Sequence, residues 1–171
     1  YFALQEISTD EAILPYRGGT DWGDNGIYID LHRHLYTPSH VRITEAWNNL
    51  VTLISRTVTA INVLTPLAKT DANAKVFLAE MKALRAYYNM ILLDMYGLSF
   101  IKEDPNEVSK IIRGNEAVEY IRIELESAQN DVGTTTGPGR ITQGAVWGLL
   151  ARLHLNAAVW RDPYAASFNF K

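Results

Sequence analysis

Residues 77–97, FLAEMKALRAYYNMILLDMYG, decide the fold that the sequence predicts. Their large apolar residues recur every three or four positions, which is the spacing of one face of an α-helix: Phe77, Met81, Leu84, Tyr88, Ile91 and Met95. The polar residues are assigned to the opposite face: Lys82, Arg85, Asn89 and Asp94. Gly97 follows the last apolar residue, where a helix end favours a left-handed conformation that glycine adopts without steric cost. Because such a helix is stable only when its apolar face is buried, the stretch predicts a partner helix.

Three further stretches show the same periodicity, so the sequence predicts a mainly α fold. Helices are expected over about 45–65, 72–96, 115–132 and 142–159, with the first ending before Pro66, which cannot continue a helix. Asp71, Asn115 and Thr142 are the expected N-caps. Long helices joined in pairs indicate tetratricopeptide-like helical hairpins. The residues expected to be buried are Trp47, Ile54, Leu84, Tyr88, Ile91, Leu125, Leu149 and Leu153.

We interpret residues 1–171 as one region with four parts. A loop-rich, irregular N-terminal segment (1–40) precedes a first helical hairpin (41–97), a polar connection (98–114) and a second hairpin (115–160). Within the N-terminal segment, Ile27, Ile29 and Leu31 alternate with other residues, which indicates a short extended piece rather than a helix. Repeat arrays need about three units for stability, so two hairpins predict a fragment of a larger protein.

The composition argues against several kinds of partner and site. The formal net charge of -3 argues against nucleic acid and anionic membrane surfaces as partners. The chain has no cysteine, which excludes a disulfide framework and thiolate metal sites within it. No glycine-rich phosphate loop follows a predicted strand, and we expect no cofactor.

The segment DWGDNGIYID, residues 21–30, carries the residue types that bind sugars. An aromatic ring stacks on the apolar face of a sugar, and planar polar side chains take its hydroxyl groups. Trp22 with Asn25 offers both contacts, beside Asp24 and Tyr28. In the alternative interpretation Trp22 anchors the loop on the core, while Asp24 and Asn25 form the turn.

Two other kinds of site use the same segment. A glycoside hydrolase needs two carboxyl groups about 5 or 6.5–9.5 Å apart, and Asp21, Asp24 and Asp30 are the candidates. Aspartates also collect in turns because they hydrogen-bond to the backbone. His32 and His34 would share one face of an extended piece, as metal ligands do, but two ligands do not complete a site. We interpret both histidines as structural.

Four segments, taken in order, resemble the SusD/RagB family of glycan-binding outer-membrane lipoproteins. They are TDEAILPYRGGTDWGDNGIYIDLHRHLYTP (9–38), WNNL (47–50), ALRAYYNMILLDMYG (83–97) and GRITQGAVWGLLARLHLNAA (139–158). Each is less specific than a metal-ligand motif, and their order carries the resemblance. The Trp22-x-x-Asn25 pair is similar to the family's glycan-contact pattern, and Arg17 lies upstream of it.

The resemblance implies a cell-surface lipoprotein of the outer membrane, with tetratricopeptide-like helices that pack on a SusC-like TonB-dependent transporter. Such a protein binds an oligosaccharide or a peptide, hands it to the transporter and has no catalytic activity. Its membrane attachment is a lipid anchor, and neither the lipidated cysteine nor the family's C-terminal half is among these residues. The joins near 98–101 and 132–137 are shorter than is usual in the family.

The predicted function is therefore non-enzymatic capture of a nutrient, an oligosaccharide above all, for a transporter. The predicted ligand-binding residues are Trp22, Asn25, Arg17, Asp24 and Tyr28, with no catalytic residue and no metal. Two alternatives come from other classes of protein. One is a helical-repeat module that binds another protein and no small molecule, and the other is a glycoside hydrolase.

Overall fold

The structure, a computed structural model, describes residues 1–15, 24–134 and 137–168, with Asp24 described by its backbone alone. Its elements in chain order are α1 (Phe2–Glu6), a 3-10 turn (Asp24–Gly26), α2 (Ile27–His32), α3 (Val41–Leu67), α4 (Ala72–Tyr96), β1 (Ser99–Ile101), β2 (Lys110–Ile112), α5 (Gly114–Ala128) and α6 (Gln143–Arg161). The prediction of a mainly α fold is confirmed. The chain divides into two compact units, Tyr1–Asn49 and Leu50–Lys171, which we describe separately.

The first unit has a small core of its own. Ile7, Tyr28 and Leu31 are buried there, and Ala3, Leu4, Leu14 and Ile27 pack against them. The predicted extended piece is wrong, since these residues form α2. Tyr28 and Leu31 lie three positions apart and are buried together, which a helix allows and an extended strand does not.

The second unit is built on α4, α5 and α6, which share one core. Its buried members include Ala83 and Met90 from α4, Leu125 from α5 and Leu153 from α6. Residues 68–71 join α3 to α4. Of the described residues of α3, none belongs to this core, and its buried side chains form a separate stripe: Leu50, Ile54, Thr57, Val58 and Ile61.

Among the described residues α3 is the one helix long and apolar enough to cross a membrane. Its buried residues recur at three- and four-residue intervals on one face. That pattern is typical of a helix that packs on protein, and the core helix of a soluble protein passes the same test of length and composition.

Local chemistry sets several helix ends as predicted, and two predictions about ends are wrong. The Asp71 carboxylate accepts hydrogen bonds from the N–H groups of residues 73 and 74, at 2.7 and 3.3 Å, and Gly97 ends α4 in the left-handed conformation. Asn115 lies inside α5, whose N-cap is Arg113 without a capping side chain. Pro66 lies within the last turn of α3, where its fixed φ fits the helix and its missing N–H removes one hydrogen bond.

A β-hairpin occupies most of the stretch that we predicted to be an irregular connection. β1 and β2 pair antiparallel, with Ser99 opposite Ile112, Phe100 opposite Ile111 and Ile101 opposite Lys110. Three-residue strands are too short to show an alternating pattern in the sequence.

The predicted orientation of α4 is wrong. Leu84 and Tyr88 are half-buried and Phe77 is 42% exposed, whereas Arg85 and Asn89, assigned to the outer face, are buried. Small residues face the core instead, and Ala83 and Ala86 are fully buried. Small side chains let neighbouring helices approach closely, so the alanines of this helix mark its packing face better than its large residues do.

Contacts with the hairpin and with α5 explain the buried polar residues of α4. The Asn89 side chain accepts a hydrogen bond from the Phe100 N–H at 2.8 Å and donates one to the Arg85 carbonyl oxygen at 3.1 Å. The Arg85 side chain donates to Glu124 Oε2 at 2.8 Å and to the Lys102 carbonyl oxygen at 3.1 Å. Because buried polar groups are tolerated when they are hydrogen-bonded, docking of the hairpin makes this face an interior one.

Of the eight side chains predicted to be buried, those of Ile54, Ile91, Leu125 and Leu153 are confirmed. The other four are half-buried: Trp47, Leu84, Tyr88 and Leu149.

The start of α5 gives a testable prediction. Gly114 has φ +52°, and a Cβ built on it would lie 2.7 Å from the carbonyl oxygen of Arg161. Gly114→Ala is therefore expected to lower the free energy of unfolding by about 1–3 kcal/mol, measured by urea denaturation. Gly148→Ala is the matched control, because a Cβ there meets nothing and alanine favours the helix. Equal stability of the two variants would contradict the prediction.

Candidate functional site

The turn that holds Asn25 is the part of the predicted ligand segment that the structure describes. Asn25 has φ 57° and ψ 26°, and Gly26 follows with φ 88°. Asparagine is one of the few non-glycine residues that adopt this left-handed conformation readily. Asn25 is exposed, so the turn presents a planar amide to solvent directly before α2.

Contacts within the first unit fix the base of this turn. Tyr28 and Leu31 of α2 are buried against Ile7. The guanidinium carbon of Arg42 lies 5.3 Å from the centroid of the Tyr28 ring, within the range of a cation–π contact. His40 Nε2 lies 3.1 Å from the Ile27 carbonyl oxygen. The segment after Asn25 is thus held by packing and by hydrogen bonding.

The five predicted ligand-binding residues have different positions relative to the described structure. Arg17 and Trp22 lie outside the described residues, and the side chain of Asp24 is not described. Asn25 is exposed, whereas Tyr28 is only 5% exposed, in the small core under Arg42. Ligand binding by these residues stays a prediction, and Tyr28 has a structural role in addition.

The alternative sites in this segment can be compared with the structure only in part. Of Asp21, Asp24 and Asp30, only Asp30 has a described side chain, in the first turn of α2. His34 Nε2 lies 2.6 Å from the Ser8 carbonyl oxygen, which gives this histidine the structural contact that we predicted. Within residues 1–15, 24–134 and 137–168, no group of three or more potential ligands from His, Asp and Glu could hold a metal ion.

Three side chains with perturbed pKa values in the second unit, Arg85, Glu124 and Tyr120, interact with one another electrostatically. Burial raises the pKa of Glu124, and the neighbouring Arg85 opposes this shift. Burial also raises the pKa of the Tyr120 hydroxyl, which has no hydrogen-bond partner among the described residues. Structural ion pairs perturb pKa values as active sites do, and Arg85 joins Glu124 of α5 to the Lys102 carbonyl oxygen directly after β1.

A cleft of about 220 Å³, whose residues were not among the predicted site residues, lies between the end of α3, the first half of α4 and the end of α5. Three lysines line it, Lys69, Lys75 and Lys82. The spacing of Lys75 and Lys82, seven residues apart on one helix, places them on one face and was a usable signal. Lys69 and the α5 residues come from other segments, and only the fold brings them to the same place.

Comparisons with known proteins identify relatives of the chain. No protein-family model matches it. The starch-binding protein SusD of Bacteroides thetaiotaomicron is 30% identical over 164 residues, which cover 93% of this chain and 28% of SusD. The chain thus spans less than a third of that relative.

Solved structures share the fold. A laminarin-binding SusD-like protein gives a TM-score of 0.77 at 19% identity, over 91% of this chain and 35% of that protein. A protein crystallised with a xylogluco-oligosaccharide gives a TM-score of 0.73 at 20% identity, over 94% of this chain and 32% of that protein. A SusD-like protein from Bacteroides fragilis gives a TM-score of 0.67 at 14% identity, over 90% of this chain and 31% of that protein. The resemblance to SusD that the sequence segments indicated is confirmed, and the similarity extends over nearly the whole of this chain.

Proposed function

We propose that this SusD-like chain is part of a cell-surface, outer-membrane lipoprotein that binds an oligosaccharide and delivers it to a TonB-dependent transporter. The observation that carries the proposal is the 30% identity to the starch-binding protein SusD over 93% of the chain. Two proteins of similar fold are described with glucan ligands, laminarin and a xylogluco-oligosaccharide. SusD and the laminarin-binding protein are both named as binding proteins, which supports capture of a glycan without a chemical reaction.

Trp22 and Asn25 are the proposed centre of the glycan site. A sugar ring would stack on the indole of Trp22, and its hydroxyl groups would exchange hydrogen bonds with the exposed amide of Asn25. The left-handed turn and the anchored α2 support this arrangement, because they fix the Asn25 backbone before the ligand arrives. A fixed contact loses less conformational entropy on binding than a mobile one does. Arg17 and Asp24 would supply further polar contacts from the same segment.

Trp22→Ala is expected to weaken oligosaccharide binding about 10-fold or more, since truncating an aromatic anchor costs on the order of 2 kcal/mol. Asn25→Gly is expected to weaken it about 2- to 10-fold, the value of one neutral hydrogen bond. Glycine is the better replacement because it keeps the left-handed turn. Isothermal titration calorimetry on the full-length protein, with a panel of neutral oligosaccharides, measures both effects.

Trp147→Ala is the matched control, because Trp147 is a 54% exposed tryptophan of α6 that is not among the proposed ligand-binding residues. It should leave the affinity unchanged. Unchanged affinity in Trp22→Ala together with a lowered melting temperature would show that Trp22 is a core anchor instead. Turnover of any glycan, abolished by Asp24→Asn, would replace the capture function with hydrolysis.

The proposed transporter would contact the helical part of the protein. The outer face of α6 supports a protein contact there, since Trp147, Leu155 and Val159 are all exposed. Exposed apolar patches of this kind mark surfaces that pack on other protein. The same observation supports the alternative of a helical-repeat interaction module, and retention of a TonB-dependent transporter by the full-length protein in detergent distinguishes the two.

A further inference from the structure

The cleft at the end of α3 combines an apolar floor with positive charge. Lys75, Leu78, Ala79 and Lys82 follow one another on a single face of α4, and all four line the cleft. Ala79 is buried and Leu78 is half-buried, so the floor between the two lysines is hydrocarbon. Lys69, from the connection between α3 and α4, lines the same cleft.

The charges in this cleft do not cancel. Lys75 forms an ion pair with Asp131 at 2.7 Å, and Asp131 is the one acidic residue among those that line the cleft in the described structure. Lys69 and Lys82 have no ion-pair partner within the described part of the chain. Glu124 lies within electrostatic range of Lys82, but its carboxylate is already held by Arg85 at 2.8 Å. Two ammonium groups therefore remain available for an anion.

We propose that this cleft binds an acidic monosaccharide unit through its carboxylate or sulfate group. The ammonium groups of Lys69 and Lys82 would hold the anionic group, and the C–H face of the sugar would lie on Leu78 and Ala79. The volume of about 220 Å³ is below the range of about 300–1,000 Å³ that drug-sized ligands occupy, which suits one sugar unit. The choice of a saccharide rests on the proposed function, whereas the selectivity for an anion rests on the lysines.

Binding of four probes to the full-length protein tests this assignment: glucuronate, glucose 6-sulfate, glucose and inorganic sulfate. Both acidic sugars should bind more tightly than glucose and than sulfate in an NMR titration, because only they use the floor and the lysines together. Raising the salt concentration should weaken the binding of both acidic sugars, since exposed charges are screened.

Lys82→Gln and Lys69→Gln should each weaken binding of the acidic sugars about 2- to 5-fold at low ionic strength, the range of an exposed ion pair. Lys110→Gln is the matched control, because Lys110 is exposed and paired with Glu116 at 2.6 Å, outside the cleft. Equal affinities in the two cleft variants and the control would overturn the proposal. Equal binding of sulfate and glucose 6-sulfate would overturn the assignment to a sugar.

The same variants separate this proposal from the main one. Lys82→Gln should leave the affinity for neutral oligosaccharides unchanged, and Trp22→Ala should leave the affinity for glucuronate unchanged. A loss of neutral binding in Lys82→Gln would mean that the cleft is not an independent anion site.

Discussion

Arg85→Met is expected to lower the free energy of unfolding by about 3–5 kcal/mol at neutral pH, because it leaves a buried carboxylate without its partner. The Arg85 side chain is 3% exposed and that of Glu124 is 12% exposed, and their nitrogen and oxygen atoms lie 2.8 Å apart. Methionine keeps most of the apolar stem, so the loss reports the charge rather than the volume. Urea denaturation followed by circular dichroism measures it.

The loss should shrink as the pH falls. Burial already raises the pKa of Glu124 above its ordinary value, and Arg85 is the main group that opposes this shift. Without Arg85 the pKa of Glu124 in the folded state rises further above its value in the unfolded chain. A carboxyl group whose pKa is raised on folding stabilises the folded state fully when the pH is below the pKa of the unfolded chain. This stabilisation is lost as the pH rises from the unfolded-state pKa through the folded-state pKa. The free energy of unfolding of Arg85→Met should therefore be closer to that of the wild type near pH 4.5 than at pH 7.

A second substitution serves as the control for this interpretation. Adding Glu124→Leu to Arg85→Met removes the orphaned charge, and replacing both partners of a buried pair by apolar residues is often neutral. The double variant should recover most of the lost stability at pH 7 and lose the pH dependence. A single variant as stable as the wild type at pH 7 would show that the pair contributes nothing.

Leu125→Ala is expected to destabilise the chain by about 2–5 kcal/mol, because the cavity it creates lies in the shared core of α4, α5 and α6. Leu125 is fully buried. Leu84→Ala removes the same atoms from a half-buried site and should cost clearly less. The two variants make a matched pair, since the chemical change is identical and only the burial differs. Equal losses would mean that Leu84 is as well packed as Leu125.

The different burial of Leu84 and Leu125 shows which features of the fold could be predicted from the sequence. Features that depend on neighbouring residues could be predicted: the long helices, the cap at Asp71, the left-handed end at Gly97 and the cap at Thr142. The face of α4 could not, because it depends on the hairpin of β1 and β2. Arg85 and Asn89 look like surface residues until Phe100, Lys102 and Glu124 are placed against them.

The candidate sites also differ in how far neighbouring residues in the sequence indicate them. The Trp22 and Asn25 segment could be chosen from its residue types, since an aromatic ring beside amide and carboxyl groups is a local signal. The structure adds the left-handed turn at Asn25 and the burial of Tyr28. For the lysine cleft the local signal was only the spacing of Lys75 and Lys82 on one helix, because Lys69 and the residues from α5 join them only in the folded chain.

The hydrogen bond from Phe100 to Asn89 has a consequence for the dynamics of the hairpin. The Phe100 N–H donates to the buried Asn89 side chain at 2.8 Å, and the Ser99 hydroxyl donates to the Asn89 carbonyl oxygen at 2.9 Å. Two-stranded hairpins are marginally stable by themselves and exchange their amide protons through frequent local opening. Here exchange of the Phe100 amide with solvent deuterium requires β1 to separate from α4. The hairpin should therefore open with the helical core as one cooperative unit.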